Sequence, residues 1–205
     1  MQESAVIWSG AGLDVHRVVV GALANNVYVI RCRRTGAATL IDAADDVDRL
    51  VALADALGVT DVLETHGHHD HVGAIPGLRA SGRVVWGHPE DVTLFPALDR
   101  YLAHDQVIEV GELRVRVIHT PGHTPGSTCF LVEGSPLLFS GDTLFPGGPG
   151  ATAFEGGDFP TIIASIEQRL FHRLADDVLV LPGHGAPTTI GAERAHLDDW
   201  IARGW

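Results

Sequence analysis

Five ionisable side chains crowd into six positions in Thr65-His66-Gly67-His68-His69-Asp70-His71, directly behind an apolar strand pattern at residues 60–64. Such a group cannot be ordinary core, and its mutual repulsion costs stability unless a cation compensates. Residues two apart in an extended segment face the same way, so His66 and His68 can chelate one ion together. Asp70 and His71 lie past the turn, placed to face a second ion or to bind water beside the first. His69 points away from its neighbours in an extended segment, which predicts a surface role.

Three further places offer matching ligands: His123 in Pro121-Gly-His-Thr-Pro-Gly126, Asp142 in Ser140-Gly-Asp-Thr143, and His184 in Pro182-Gly-His-Gly185. Each lies at or just past the C-terminal end of a predicted strand, in a turn whose glycines and prolines hold a ligand rigidly and let a metal approach the backbone. Taken singly, each reads as a turn residue. Together with the histidine cluster they predict a metal centre built from loops on a rigid scaffold.

All 14 basic residues other than histidine are arginine, no lysine occurs, and 26 acids bring the net charge to −12 over 205 residues. With 45% apolar residues the chain has ordinary globular composition, which excludes a largely disordered protein. Its acidity disfavours nucleic acid and anionic membrane surfaces as partners, leaving a small-molecule substrate. No apolar run reaches membrane-spanning length, since the longest, residues 18–30, is cut by Asn25 and Asn26. The first ten residues carry Glu3 and no basic stretch, unlike a secretory signal. Cys32 and Cys129 sit far apart in apolar runs, which predicts buried free thiols in a reducing cytoplasm. Neither repeat nor linker interrupts residues 1–205, so a single domain is expected. No pattern specifies an oligomeric state.

The patterns predict strands over 15–20, 27–32, 38–41, 60–64, 84–86, 113–119, 128–132, 137–140 and 178–181. Helices are predicted over 47–57, capped by Asp45 or Asp46 and stopped by Gly58, over 72–79 with an interruption at Pro76, and over 162–174. Residues 95–104 are expected to form part of a rim over the metals, Trp86 to be buried, and Trp8, Trp200 and Trp205 to line a pocket or pack the ends.

His66-x-His68-x-Asp70-His71, followed in order by His123, Asp142 and His184, resembles the metallo-β-lactamase superfamily. The resemblance implies an α+β fold, the four-layer αββα sandwich, with a binuclear site along one edge. It assigns His66, His68 and His123 to one metal and Asp70, His71 and His184 to the other, with Asp142 bridging. Asp42 matches the family's aspartate that orients a ligand histidine, although it can equally cap the turn before the helix. Class B1 and B2 lactamases place cysteine where Asp142 stands, which disfavours antibiotic hydrolysis. The chain is most similar to the glyoxalase II-like branch of hydroxyacylglutathione hydrolases, through Thr120-Pro-Gly-His-Thr-Pro-Gly-Ser127, Gly141-Asp-Thr-Leu-Phe145 and Gly183-His-Gly-Ala-Pro-Thr-Thr-Ile-Gly191. It departs from that branch at Gly147-Gly-Pro-Gly-Ala-Thr152, where a Cys-Gly-Arg stretch usually follows Gly-Gly.

The expected function is hydrolysis of a small acyl-thioester by a hydroxide bridging two divalent ions, most simply zinc, with iron or manganese accepting the same ligands. Asp70 is the expected catalytic residue, orienting that hydroxide and taking its proton. The alternatives are a mononuclear iron persulfide dioxygenase-like enzyme, a lactonase, and a non-catalytic metal-binding module. The spare carboxylate of Asp70 counts against the last, because a structural zinc site closes its four positions with cysteine and histidine.

Overall fold

The computed structural model describes residues 4–204, which places Trp205 outside the described part. The first sheet has seven strands in sequence order: β1 (Ala5–Gly10), β2 (Leu13–Val20), β3 (Asn25–Cys32), β4 (Ala38–Ile41), β5 (Val59–Leu63), β6 (Val84–Gly87) and β7 (Arg100–Tyr101). β1 to β4 pair antiparallel, whereas β4 to β7 pair parallel, with the helices α1 (Val47–Leu57), α2 (His69–Val72) and α3 (Ile75–Ala80) in the connections. The second sheet begins with β8 (Val107–Val110), β9 (Leu113–His119), β10 (Thr128–Val132) and β11 (Leu137–Gly141). A short ribbon, β12 (Leu144–Phe145) with β13 (Gly148–Pro149), and the helix α4 (Phe159–Ser165) precede its last strands, β14 (Leu179–Pro182) and β15 (Thr188–Thr189). The order across this sheet is β15-β14-β11-β10-β9-β8, with β11 and β14 parallel. The helices α5 (Ile190–Arg194) and α6 (Leu197–Arg203) end the chain.

Alternation along the strands sets the layers. In β3, Val27 and Val29 pack on α1 and α3, while Tyr28 and Ile30 face the other sheet. In β10, Cys129 turns to the helices on the far side and Phe130 and Val132 turn inward. A strand flanked on both faces reads as a continuous apolar run, as β3 does. Three cores result: one between the sheets, one under α1 and α3, and one under α4, the wide turns Ile166–Phe171, α5 and α6. This is the expected four-layer αββα sandwich. Both cysteines are free and buried, Cys32 between the sheets and Cys129 beneath the helices.

The elements depart from expectation where backbone chemistry overrides periodicity. β1 and β8 are additional edge strands, each held by a hairpin partner, and β8 also turns Ile108 and Val110 into the core between the sheets. Pro76 does not interrupt a helix; it occupies the first turn of α3, where its missing N–H has no partner to lose, and the break falls at Gly73. Asp46 holds the N-cap position of α1 with a left-handed φ of 53°, and its side chain makes no capping bond. The helix expected over 162–174 starts earlier, where Asp158 accepts a hydrogen bond from the Thr161 amide and Pro160 sits in the first turn, and it widens into π turns from Ile166. Trp86 is half-buried rather than buried, donating to Asp61 Oδ1 at 2.7 Å with Arg100 over its ring. Trp200 is buried among the C-terminal helices and Trp8 packs on the core between the sheets.

Phe130 is fully buried between the sheets, so Phe130→Ala should cost about 3–5 kcal/mol. A urea unfolding midpoint that barely moves would contradict its place in the core.

Candidate metal centre

Five strands deliver the site from their C-terminal ends. β4 runs into Asp42, β5 into the histidine cluster, β9 into the His123 turn, β11 into Asp142 and β14 into His184. Ligands meet at such strand ends because loops there are free to vary while the sheet fixes their origins.

The back nitrogen of four imidazoles is tied down. His123 Nδ1 donates to the Ala151 carbonyl at 2.7 Å, His184 Nδ1 to the Leu23 carbonyl at 3.0 Å, and His71 Nδ1 to Asp42 Oδ2 at 2.9 Å. The Thr65 hydroxyl donates to the same Asp42 oxygen at 2.9 Å and therefore accepts from His66 Nδ1 at 3.0 Å. These ties put a hydrogen on Nδ1 in each ring and aim Nε2 inward, where it is a free donor atom whenever the imidazole is neutral. His68, at the end of the extended run, packs edge-on to His66 and His123, with centroids 4.9 and 4.5 Å away.

The Nε2 atoms then face one another. His66 and His123 Nε2 lie 3.2 Å apart, and His71 and His184 Nε2 lie 3.3 Å apart. Asp142 stands between the two pairs, 3.5 Å from His71 Nε2 and 3.7 Å from both His123 and His184 Nε2. Asp70 Oδ2 lies 3.2 Å from His184 Nε2 and 3.5 Å from His71 Nε2. Ligand atoms of His66, His68 and His123 form one group within 4.8 Å, and those of Asp70, His71 and His184 form a second. All seven residues singled out from the sequence are thus brought together.

Charge states suit cation binding. Burial, reinforced by the neighbouring histidines, holds His66 well below its ordinary pKa, and burial with His123 lowers His68 to about 4. Burial opposes ionisation of Asp70 and Asp142, but hydrogen bonding from His184 at Asp70 and the nearby His71 at Asp142 keep both below the usual carboxylate range. Burial also opposes charge on His71, yet Asp142 and Asp42 raise its pKa, so these oxygens draw positive charge inward. Asp142 Oδ1 is buried without a hydrogen-bond partner, a costly state for a carboxylate oxygen. Inward-facing imidazole nitrogens, ionised carboxylates and this orphaned oxygen fit a pair of divalent ions. His88, Glu90 and His119 form a separate cluster, but its two rings stack 3.9 Å apart at 13°, so their in-plane lone pairs run parallel instead of converging.

Several positioning residues were not anticipated. Asn25 Nδ2 donates to Asp70 Oδ2 at 2.9 Å. Asn26 donates to the Pro182 and Gly185 carbonyls and Tyr28 to Pro182, which pins the His184 turn to β3. Asp91 is fully buried and joins two ligand loops: Oδ2 accepts from Gly67 N at 3.0 Å and Thr124 Oγ1 at 2.6 Å, and Oδ1 from Gly126 N at 2.6 Å. Gly183 is required by packing, since a Cβ there would stand 2.4 Å from Asp142 Oδ1. The buried asparagines interrupting the apolar run at 18–30 were a legible signal, because a buried amide must find partners. Asp42 orients both Thr65 and His71 rather than merely closing a turn.

A cavity of about 490 Å³ opens over Asp70, Asp142 and His123. His69 is exposed as expected, but because α2 begins there its side chain lines this cavity. The rim expected from residues 95–104 is supplied by Leu94, whereas Phe95 turns into the core beneath α3.

A sequence model of the metallo-beta-lactamase superfamily matches residues 20–184. The hydroxyacylglutathione hydrolase GloC of Haemophilus influenzae is 33% identical over 204 residues, covering 89% of this chain and 95% of its own. The solved structure of BLEG-1, a B3 metallo-beta-lactamase, is similar at TM-score 0.81 and 28% identity, covering 89% of this chain and 97% of that one. ETHE1 from Myxococcus xanthus is similar at TM-score 0.80 and 30% identity, covering 89% and 82%.

Asp42→Asn should weaken divalent metal binding about 10–100-fold in competition with a chelator while the far-ultraviolet circular dichroism stays unchanged. Parental affinity in that variant would remove the carboxylate from its orienting role.

Proposed function

This chain belongs to the metallo-β-lactamase superfamily, and from that premise we propose that it is a binuclear metallo-hydrolase cleaving small acyl-thioesters. In this reading His66, His68 and His123 would hold one ion and Asp70, His71 and His184 the other, with Asp142 available to both groups. The observation that carries it is the convergence of inward-facing Nε2 atoms around the unpartnered Asp142 oxygen. Zinc suits five histidines and two carboxylates, with iron and manganese accepting the same donors. When bound, two such ions supply Lewis acidity, lowering the pKa of a water and polarising an acyl carbonyl.

The chain's own residues do the rest. Asp70 Oδ2 is fixed by the Asn25 amide, which leaves Oδ1 to orient the attacking water and take its proton. The ties from Asp42, Ala151 and Leu23 hold the imidazoles against reorientation as charge develops. A thioester suits this constellation because a thiolate, with a thiol pKa of about 8.5, leaves without a dedicated acid. An amide nitrogen, as in a lactam, must be protonated to leave, and among the described residues lining the cavity the nearest donor beyond the site is the exposed His69. The substrate is a small molecule, in keeping with the net charge of −12. No helix among the described residues is long and apolar enough to cross a membrane. The two buried free thiols suit a reducing compartment, so operation in the cytoplasm belongs to this reading.

A second reading, an iron-dependent persulfide dioxygenase-like enzyme, is supported by the likeness to ETHE1. Gentle purification should yield close to two transition-metal ions per chain together with thioester hydrolysis, and metal-free protein would sink the proposal. Asp70→Asn should keep most of the metal and lose about 100-fold or more in turnover; full activity would reject its role. Thioester cleavage measured beside oxygen uptake on a persulfide, in zinc- and iron-loaded protein, separates the two readings.

A further inference from the structure

The cavity over the site is walled by Leu23, Leu94, Phe145, Ala151 and Phe154, with Glu155 as its one carboxylate beyond Asp70 and Asp142. Leu23, Leu94 and Phe154 are 57%, 41% and 60% exposed, an unfavourable state for three large apolar side chains gathered at one mouth. Phe154 stands edge-on to His68, with centroids 5.6 Å apart, so the apolar wall begins where the site ends. No arginine lines the cavity, and the chain contains no lysine. An anionic group on the substrate would therefore meet Glu155 with no side-chain cation to pair it.

We propose that this cavity selects an uncharged, apolar acyl group, carried on a thiol that needs no cationic recognition, and disfavours anionic acyl groups and carriers. This rests on the thioesterase reading for its chemistry but on the cavity lining for its selectivity. Burial of each added methylene on the apolar wall strengthens the transition-state complex, whereas a carboxylate placed there loses water without gaining a partner.

The test uses the metal-loaded protein with acetyl, hexanoyl and succinyl thioesters of one neutral thiol, N-acetylcysteamine, beside S-lactoylglutathione. Expected is a kcat/KM that rises roughly threefold to fourfold per methylene from acetyl to hexanoyl, with the succinyl and lactoylglutathione substrates at least tenfold below hexanoyl. Phe154→Ala should reduce the hexanoyl-to-acetyl ratio about tenfold, and Glu155→Arg should raise succinyl relative to hexanoyl by a similar factor. Succinyl or lactoylglutathione cleaved as well as hexanoyl would overturn the inference. If no thioester is cleaved, the reaction reading fails, and calorimetry with the uncleavable S-hexyl thioether of the same thiol decides the selectivity separately. Binding of the hexyl compound at least tenfold tighter than its carboxypropyl counterpart supports it, and equal or absent binding overturns it.

Discussion

One carboxylate, that of Asp42, governs the proton positions on which the candidate site depends. Its Oδ2 receives hydrogens from both the Thr65 hydroxyl and His71 Nδ1, so the Thr65 oxygen is left to accept from His66. Two imidazoles that belong to different halves of the site thus turn Nε2 inward because of a single buried charge. The residue adopts a left-handed φ of 63° to do so, a strain that aspartate bears better than most and that costs roughly 1–3 kcal/mol. Beneath it, burial and the Asp42 charge push the Glu64 carboxyl well above its ordinary pKa.

Ionisable groups packed within 4.8 Å of one another repel, and the sandwich is what resists their separation. Parallel pairing of β4 with β5 and of β11 with β14 sends three ligand-bearing segments and the Asp42 turn out of the same edge. Bonds between the sheets then close that edge. Thr128 N donates to the Thr65 carbonyl, Asn26 N to the Gly183 carbonyl, and Asp91 joins the Gly67 and Gly126 turns. Each of these ties crosses from one sheet's loops to the other's, so packing of the inter-sheet core around Phe130 and Phe139 is transmitted directly to the ligand positions.

The sequence carried the ligands and the central strands because both leave local marks: histidines at period two, Gly/Pro turns, and apolar alternation in stretches such as 113–119. Asp91 left none, because a lone aspartate in a loop acquires its role only when two distant turns arrive beside it. Asn25 and Asn26 were visible as interruptions of an apolar run, but their partners on the His184 turn lie more than 150 residues away. β1 and β8 escaped for a related reason. Edge strands draw much of their stability from a neighbour: β1 leaves Ala5, Val6 and Ile7 exposed, and β8, although Ile108 and Val110 face the core, is only 4 residues long. The misplaced break at Pro76 shows the converse case, since the same residue that ends a helix also starts one well.

The arginine-only basic complement gains meaning from where those arginines sit. Arg79 pairs with Asp99, Arg83 with Asp55, Arg114 and Arg116 with Glu133, and Arg194 with Asp176 and the Phe171 and Leu174 carbonyls. Guanidinium groups fork onto carboxylates and backbone together, and here they brace loops around the sheets instead of facing the cavity. Positive potential at the candidate site would thereby be left to the cations its ligands hold. On the proposed reading those cations would not be shared with a charged substrate tail, and that division, more than the size of the cavity, would make the apolar wall the selective element.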